Sequence, residues 1–60
     1  MKTIYRLDGK KITKKALTEQ IGTERVKRMT KEAWETTMED PNICNDFWIG
    51  KGMLNIEFAP

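Results

Sequence analysis

The sequence predicts a small α+β domain of order β-α-α-β-β, in which a small antiparallel sheet packs on one long helix. Three observations carry this. Thr23 to Asp40 runs without glycine or proline, fenced by Gly22 and Pro41. Its apolar residues Val26, Met29, Ala33, Trp34 and Met38 recur at the spacings of one helical face. KTIYRL near the start and FWIGKGMLNIEF near the end are instead rich in β-branched and aromatic residues beside turn signals.

In chain order, Lys2 to Leu7 reads as a strand ending at the Asp8-Gly9 turn. Thr3, Tyr5 and Leu7 share one face of it, the one expected to meet the long helix, and Lys2, Ile4 and Arg6 share the other. Lys10 to Ile21 holds a short helix of about two to three turns. Thr13 suits its N-cap, Ile12 and Leu17 suit a hydrophobic staple, and Gly22 suits a left-handed C′ position.

On the long helix Thr23 suits the N-cap, and Pro41 biases Asp40 away from helical dihedrals. The apolar arc covers about half the circumference, which leaves Trp34 and Met38 at its edge as surplus apolar surface. The opposite face sets Glu24–Arg28, Arg28–Glu32 and Lys31–Glu35 at i, i+4. A basic start and an acidic end oppose the macrodipole, so Glu35, Glu39 and Asp40 read as an acidic edge that could meet a basic partner.

Pro41 to Asp46 reads as a loop, with Cys44 a small, partly buried residue. Asp40, Asn42 and Asp46 lack the glycine and closing glutamate of a calcium loop, so no metal site is expected. Phe47 to Phe58 reads as a hairpin turning at Lys51-Gly52 or Gly50-Lys51. With Lys51-Gly52 as the loop, Ile49 opposes Leu54 and Phe47 opposes Ile56. Trp48 and Met53 then join Ile4 on the outer face as an exposed apolar cluster, the mark of an interface. A one-residue slip would bury Trp48 and remove the cluster. Two strand orders fit: the first and last strands side by side, or both flanking the middle one.

Sixty residues make one domain, 1–60, marginal alone and helped by oligomerising. A lone cysteine excludes an internal disulfide and suits a reducing cytoplasm. No apolar run approaches the ~20 residues of a membrane span, and no signal-peptide core opens the chain. The expected location is the cytoplasm, with no membrane contact. Histidine and serine are absent, which excludes Ser-His and Cys-His pairs, histidine bases and the usual zinc sites. Neither an enzyme nor a cofactor is expected.

Charge is split along the chain. In residues 1–31 ten Lys/Arg face three Asp/Glu, a net of +7, and in residues 32–60 Lys51 alone faces six, a net of −5. Lys10, Lys11, Lys14, Lys15, Arg25 and Arg28 are candidates for binding an anion or nucleic acid.

Strand, short helix, glycine turn and long helix together resemble the ribbon-helix-helix DNA-binding proteins. That likeness implies paired N-terminal strands with Lys2, Ile4 and Arg6 in the major groove. LTEQIGTERVKRM, Leu17 to Met29, also resembles a helix-turn-helix core. The opening MKTIYRLDGKKITKK and the closing hairpin ending in IEF resemble small accessory proteins of phages and prophages. That likeness implies a self-associating, stoichiometric inhibitor of a host defence factor. The leading expectation is therefore a non-enzymatic, phage-encoded binding protein acting as a homodimer on a host protein. Ile4, Trp34, Met38, Trp48 and Met53 would form its partner or oligomer face. In one variant the oligomer holds a small nucleotide between lysines and an aromatic ring. The alternative is a nucleic-acid-binding regulator using the basic half.

Overall fold

The computed structural model describes residues 2–59. It is an α+β domain with a four-stranded antiparallel sheet and two helices: β1 (Lys2–Leu7), β2 (Lys10–Ile12), α1 (Lys14–Ile21), α2 (Thr23–Glu39), β3 (Asp46–Trp48) and β4 (Met53–Ala59). The sheet order is β2-β1-β4-β3, so the first and last strands lie side by side at its centre.

The order corrects the expected β-α-α-β-β by one strand, β2. Asp8 and Gly9 both take positive φ, 51° and 85°, and join Leu7 to its partner Lys10 as a two-residue loop. Positive φ at both central residues is the type I′ geometry, whose twist suits a tight hairpin. The chain after it therefore returns beside β1, pairing Ile12 with Tyr5, before α1 begins. Thr13 is the N-cap as expected, its side chain accepting from the Ala16 N–H at 3.1 Å.

Gly22 is the only residue between the helices. Its N–H donates to Thr18 O at 2.8 Å to close α1, and its C=O accepts from the Val26 N–H at 3.3 Å to open α2. Thr23 is thus the first helical residue and not the N-cap, because Gly22 fills that position without a side chain. Nor is Gly22 in the left-handed helical region. Its φ and ψ of 94° and 151° are extended on the positive side.

Tyr5, Leu17, Val26, Ala33, Ile49, Leu54 and Ile56 form the buried core, so both helices contribute to it and not α2 alone. Thr30 gives its hydroxyl proton to Val26 O at 2.7 Å, which leaves its oxygen to accept from the Tyr5 hydroxyl at 3.0 Å. Asn45, also buried, donates to Thr37 Oγ1 at 3.0 Å and to Ile56 O at 3.3 Å. These bonds tie the polar edge of α2 and the loop after it to the sheet. Cys44 is exposed, contrary to the expected partial burial, because its neighbour Asn45 is the loop residue that turns inward.

The hairpin turns through four residues, Ile49 to Gly52, closed by Ile49 N–H to Gly52 O at 3.1 Å. Phe47 pairs with Leu54 and Trp48 with Met53. The register is shifted by two residues from the expected one, and a shift of two preserves every face. Ile49, tucked into the core, lengthens the loop.

Asp8 also links the two hairpin ends. Its N–H donates to Met53 O at 2.9 Å and its Oδ1 accepts from the Met53 N–H at 3.0 Å. A Cβ on Gly52 would lie 2.6 Å from Asp8 Oδ2. Asp8→Ala removes the acceptor and places a residue less tolerant of positive φ in the turn. The expected loss is about 1–2 kcal/mol of stability in urea unfolding. A change within measurement error would mean the two turns are not joined through this side chain.

Candidate functional site

The candidate surfaces lie on opposite sides of the sheet. β1 and β4 alternate so that Tyr5, Leu7, Leu54, Ile56 and Phe58 face the helices. Ile4, Arg6, Asp46, Trp48, Met53, Asn55 and Glu57 take the outer face, over which the described residues lay no second layer. There Trp48 is 67% and Met53 44% exposed, directly opposite each other in the register. The Met53 backbone is held by Asp8, so the pair sits on a fixed strand end. Exposed Trp and Met on a rigid strand are what binding surfaces are enriched in.

Ile4 does not join this pair. It stands opposite Glu57, four residues along β4 from Met53, which is about 13 Å at ~3.3 Å per residue. The row between carries Arg6, Asn55 and Asp46, and Arg6 reaches Glu57 in an ion pair of 2.8 Å. With both side chains well exposed, that pair contributes only about 0–1 kcal/mol. The expected cluster of Ile4, Trp48 and Met53 is therefore reduced to Trp48 and Met53. Strand order, which the sequence left open, decides this.

Trp34 and Met38 belong to a separate surface. On a helical wheel they follow Lys27 and Lys31 down one flank of α2, away from the core line of Val26 and Ala33. Trp34 meets Phe58 edge to face, centroids 5.0 Å apart at 77°, and stays 36% exposed. Beside this aromatic pair opens a groove of about 670 Å³ lined by Lys14, Lys27, Lys31, Thr3, Thr30, Trp34 and Phe58. A smaller hollow of about 480 Å³ adjoins it, shares Thr3, Lys14 and Thr30, and extends to Ile4, Lys11 and Ile12.

The basic cluster is accordingly divided. Lys10 and Lys11 lie on the short edge strand β2, where lysines discourage edge-to-edge pairing. Lys14 faces the larger groove and Lys15 stands exposed beside it in the chain. Arg25 and Arg28 are exposed, Arg25 on a wheel position remote from Lys27 and Lys31 and Arg28 one turn before Lys31. The residues that sequence reasoning missed are Lys27 and Lys31. Their signal was present, since both lie within one turn of Thr30 and Lys31 lies within one turn of Trp34, but Lys31 was assigned to Glu35.

That pairing, like Glu24–Arg28 and Arg28–Glu32, does not close. Among the described residues Arg6–Glu57 is the one ion pair. Of the acidic edge, Glu35 and Glu39 are exposed, whereas Asp40 caps the loop after α2, its Oδ1 accepting from the Asn42 N–H at 3.0 Å. Among the described residues no group of three or more His, Cys, Asp or Glu is placed to hold a metal ion. No described helix is long and apolar enough to cross a membrane.

No protein-family model, curated protein or solved structure matches the chain.

Proposed function

We propose that this is a non-enzymatic binding protein that pairs with itself and occupies a partner protein stoichiometrically. The partner would be a host defence factor in the bacterial cytoplasm, inhibited or sequestered as small phage-encoded proteins do. The observation that carries the reading is the Trp48–Met53 pair on the uncovered sheet face. A chain of 60 residues buries only about 60% of its unfolded surface, so covering a one-sided sheet with a second copy supplies stability the fold lacks alone. A two-fold pairing would set each patch against its copy. Glu35 and Glu39 remain free to face a basic surface on the target, for which α2 supplies a straight, exposed edge. A sequence without histidine or serine also offers little for catalysis.

The DNA-regulator reading has less support. β1 is paired along its length by β4, and Tyr5 to Leu7 also by β2, so that half has no free edge for a ribbon with a second chain.

Sedimentation velocity and pull-down from nuclease-treated lysate, with wild type and Trp48→Ala, test the proposal. Wild type should sediment as a dimer at micromolar concentration and retain a protein partner at one-to-one stoichiometry. Trp48→Ala should be folded and monomeric, with partner recovery reduced at least about tenfold, as for loss of a central aromatic anchor. Unchanged sedimentation together with unchanged recovery overturns it, as does recovery of nucleic acid alone.

A further inference from the structure

We propose that the groove between α2, the start of α1 and the Thr3–Phe58 end of the sheet binds a free nucleotide. Its base would lie against the Trp34–Phe58 pair, and its phosphates would reach Lys14, Lys27 and Lys31. This goes beyond the self-association above and does not rest on it.

Charge is the first argument. Three ammonium groups from two helices line one groove, and no Asp or Glu lines it with them. None of the three closes an ion pair among the described residues. Gathered like charges without counter-ions raise one another's energy, and a polyanion of matching size relieves that repulsion. Lysine suits this role as a compact charge on a flexible stem that reaches phosphate oxygens from several directions.

The aromatic floor is the second. Trp34 is fixed by its edge-to-face contact with Phe58, so a ring is already positioned while part of it remains open to solvent. A planar base stacks on such a ring whatever its identity, because every base has a π-face. An aliphatic chain would not use the flat ring, and a bare phosphate would use only the lysines. A nucleotide uses both. The volume of about 670 Å³ lies within the range of small-molecule sites.

The surroundings favour a free nucleotide over a strand. A strand needs a continuing basic track for its backbone. Beyond Trp34 this flank of α2 continues to the exposed Met38 and carries no further Lys or Arg, so the basic residues, Arg28 beside Lys31 included, stop at one end of the groove.

Isothermal titration calorimetry of the full chain with ATP, inorganic triphosphate and a short oligothymidylate decides the matter. ATP should bind once per chain with a Kd of about 10–100 μM, tighter than triphosphate. The double variant Lys27→Ala/Lys31→Ala, whose residues are exposed and outside the core, should keep the fold and weaken ATP by at least about tenfold. Trp34→Leu should bring ATP down to the affinity of triphosphate. Absence of binding up to about 1 mM ATP overturns the proposal. So does an unchanged Kd in the lysine variant, or equal affinity of wild type for ATP and triphosphate. Oligothymidylate binding more than about tenfold tighter than ATP also overturns it, in favour of a strand.

Discussion

Leu54→Ala should remove a large share of the protein's stability. Leu54 is 0% exposed and sits on β4, one of the two central strands, paired on one side with Leu7 and on the other with Phe47. Truncating a fully buried leucine removes its transfer energy and opens a cavity that rigid neighbours cannot fill, at a cost of about 2–5 kcal/mol. At roughly 0.05–0.15 kcal/mol per residue, a 60-residue domain has about 3–9 kcal/mol in all. The loss is therefore comparable to the whole stability. Urea unfolding followed by circular dichroism reads it directly, and it should be run at two protein concentrations because the proposed self-association would add a concentration-dependent term. A loss under about 1 kcal/mol would show that Leu54 is not close-packed between its neighbours. Leu17→Ala, equally buried but contributed by α1, should fall in the same range.

The parts of the fold that local chemistry specifies were legible in the sequence. α2 follows from its apolar spacing and its Gly22 and Pro41 fences, and the Thr13 cap from its hydroxyl beside a periodic run. The faces of β4 were assigned correctly even though the hairpin register was not. A four-residue loop replaced the two-residue one, and alternation survives a shift of two. β2 was legible but unread: Asp-Gly after a strand is the strongest short-range hairpin signal, and it implies a strand on each side. Lys10 to Ile12, only three residues and two of them lysine, lie just ahead of the Thr13 cap and carry too little strand pattern to stand apart from the helix that follows.

The candidate sites divide along the same line. Exposure of Trp48 follows from strand alternation only once the register is given; a one-residue slip would bury it, and the observed register leaves it exposed. The separation of Ile4 from Met53 depends on β1 and β4 being neighbours in a given register, and the grouping of Lys14 with Lys27 and Lys31 depends on how α1 crosses α2. Both are long-range facts that no local pattern encodes. Glu35 was paired with Lys31 because i, i+4 spacing makes them neighbours, but exposed long side chains gain only ~0.2–0.5 kcal/mol from such a pair and do not hold it.

The crossing of the two helices is fixed at one residue, which makes Gly22→Ala the second large effect. Gly22 adopts φ 94° and ψ 151°, a region that costs an L-residue about 1–3 kcal/mol. Replacing glycine by alanine also stiffens the unfolded chain, but that returns only about 0.4–1 kcal/mol, so the net change is destabilising. The origin is purely conformational, because a Cβ built here meets nothing within 4 Å. Nor can the chain relax by shifting the junction. The N–H of Gly22 closes α1 and its C=O opens α2, so rotating either dihedral swings one helix against the other and disturbs the core they share. The residue of opposite chirality separates the two explanations. For D-alanine the equivalent L-residue angles are −94° and −151°, which lie about 30° past the edge of the extended region, so the strain is reduced and not abolished. A synthetic chain carrying D-alanine at position 22 should melt between the glycine form and the L-alanine chain. Equal melting of all three would mean that the backbone at this junction is not held on the positive side of φ. The same comparison reaches the groove. Lys14 is carried on α1, and Lys27 and Lys31 on α2, so strain at the junction should weaken ATP more in the L-alanine chain than in the D-alanine chain.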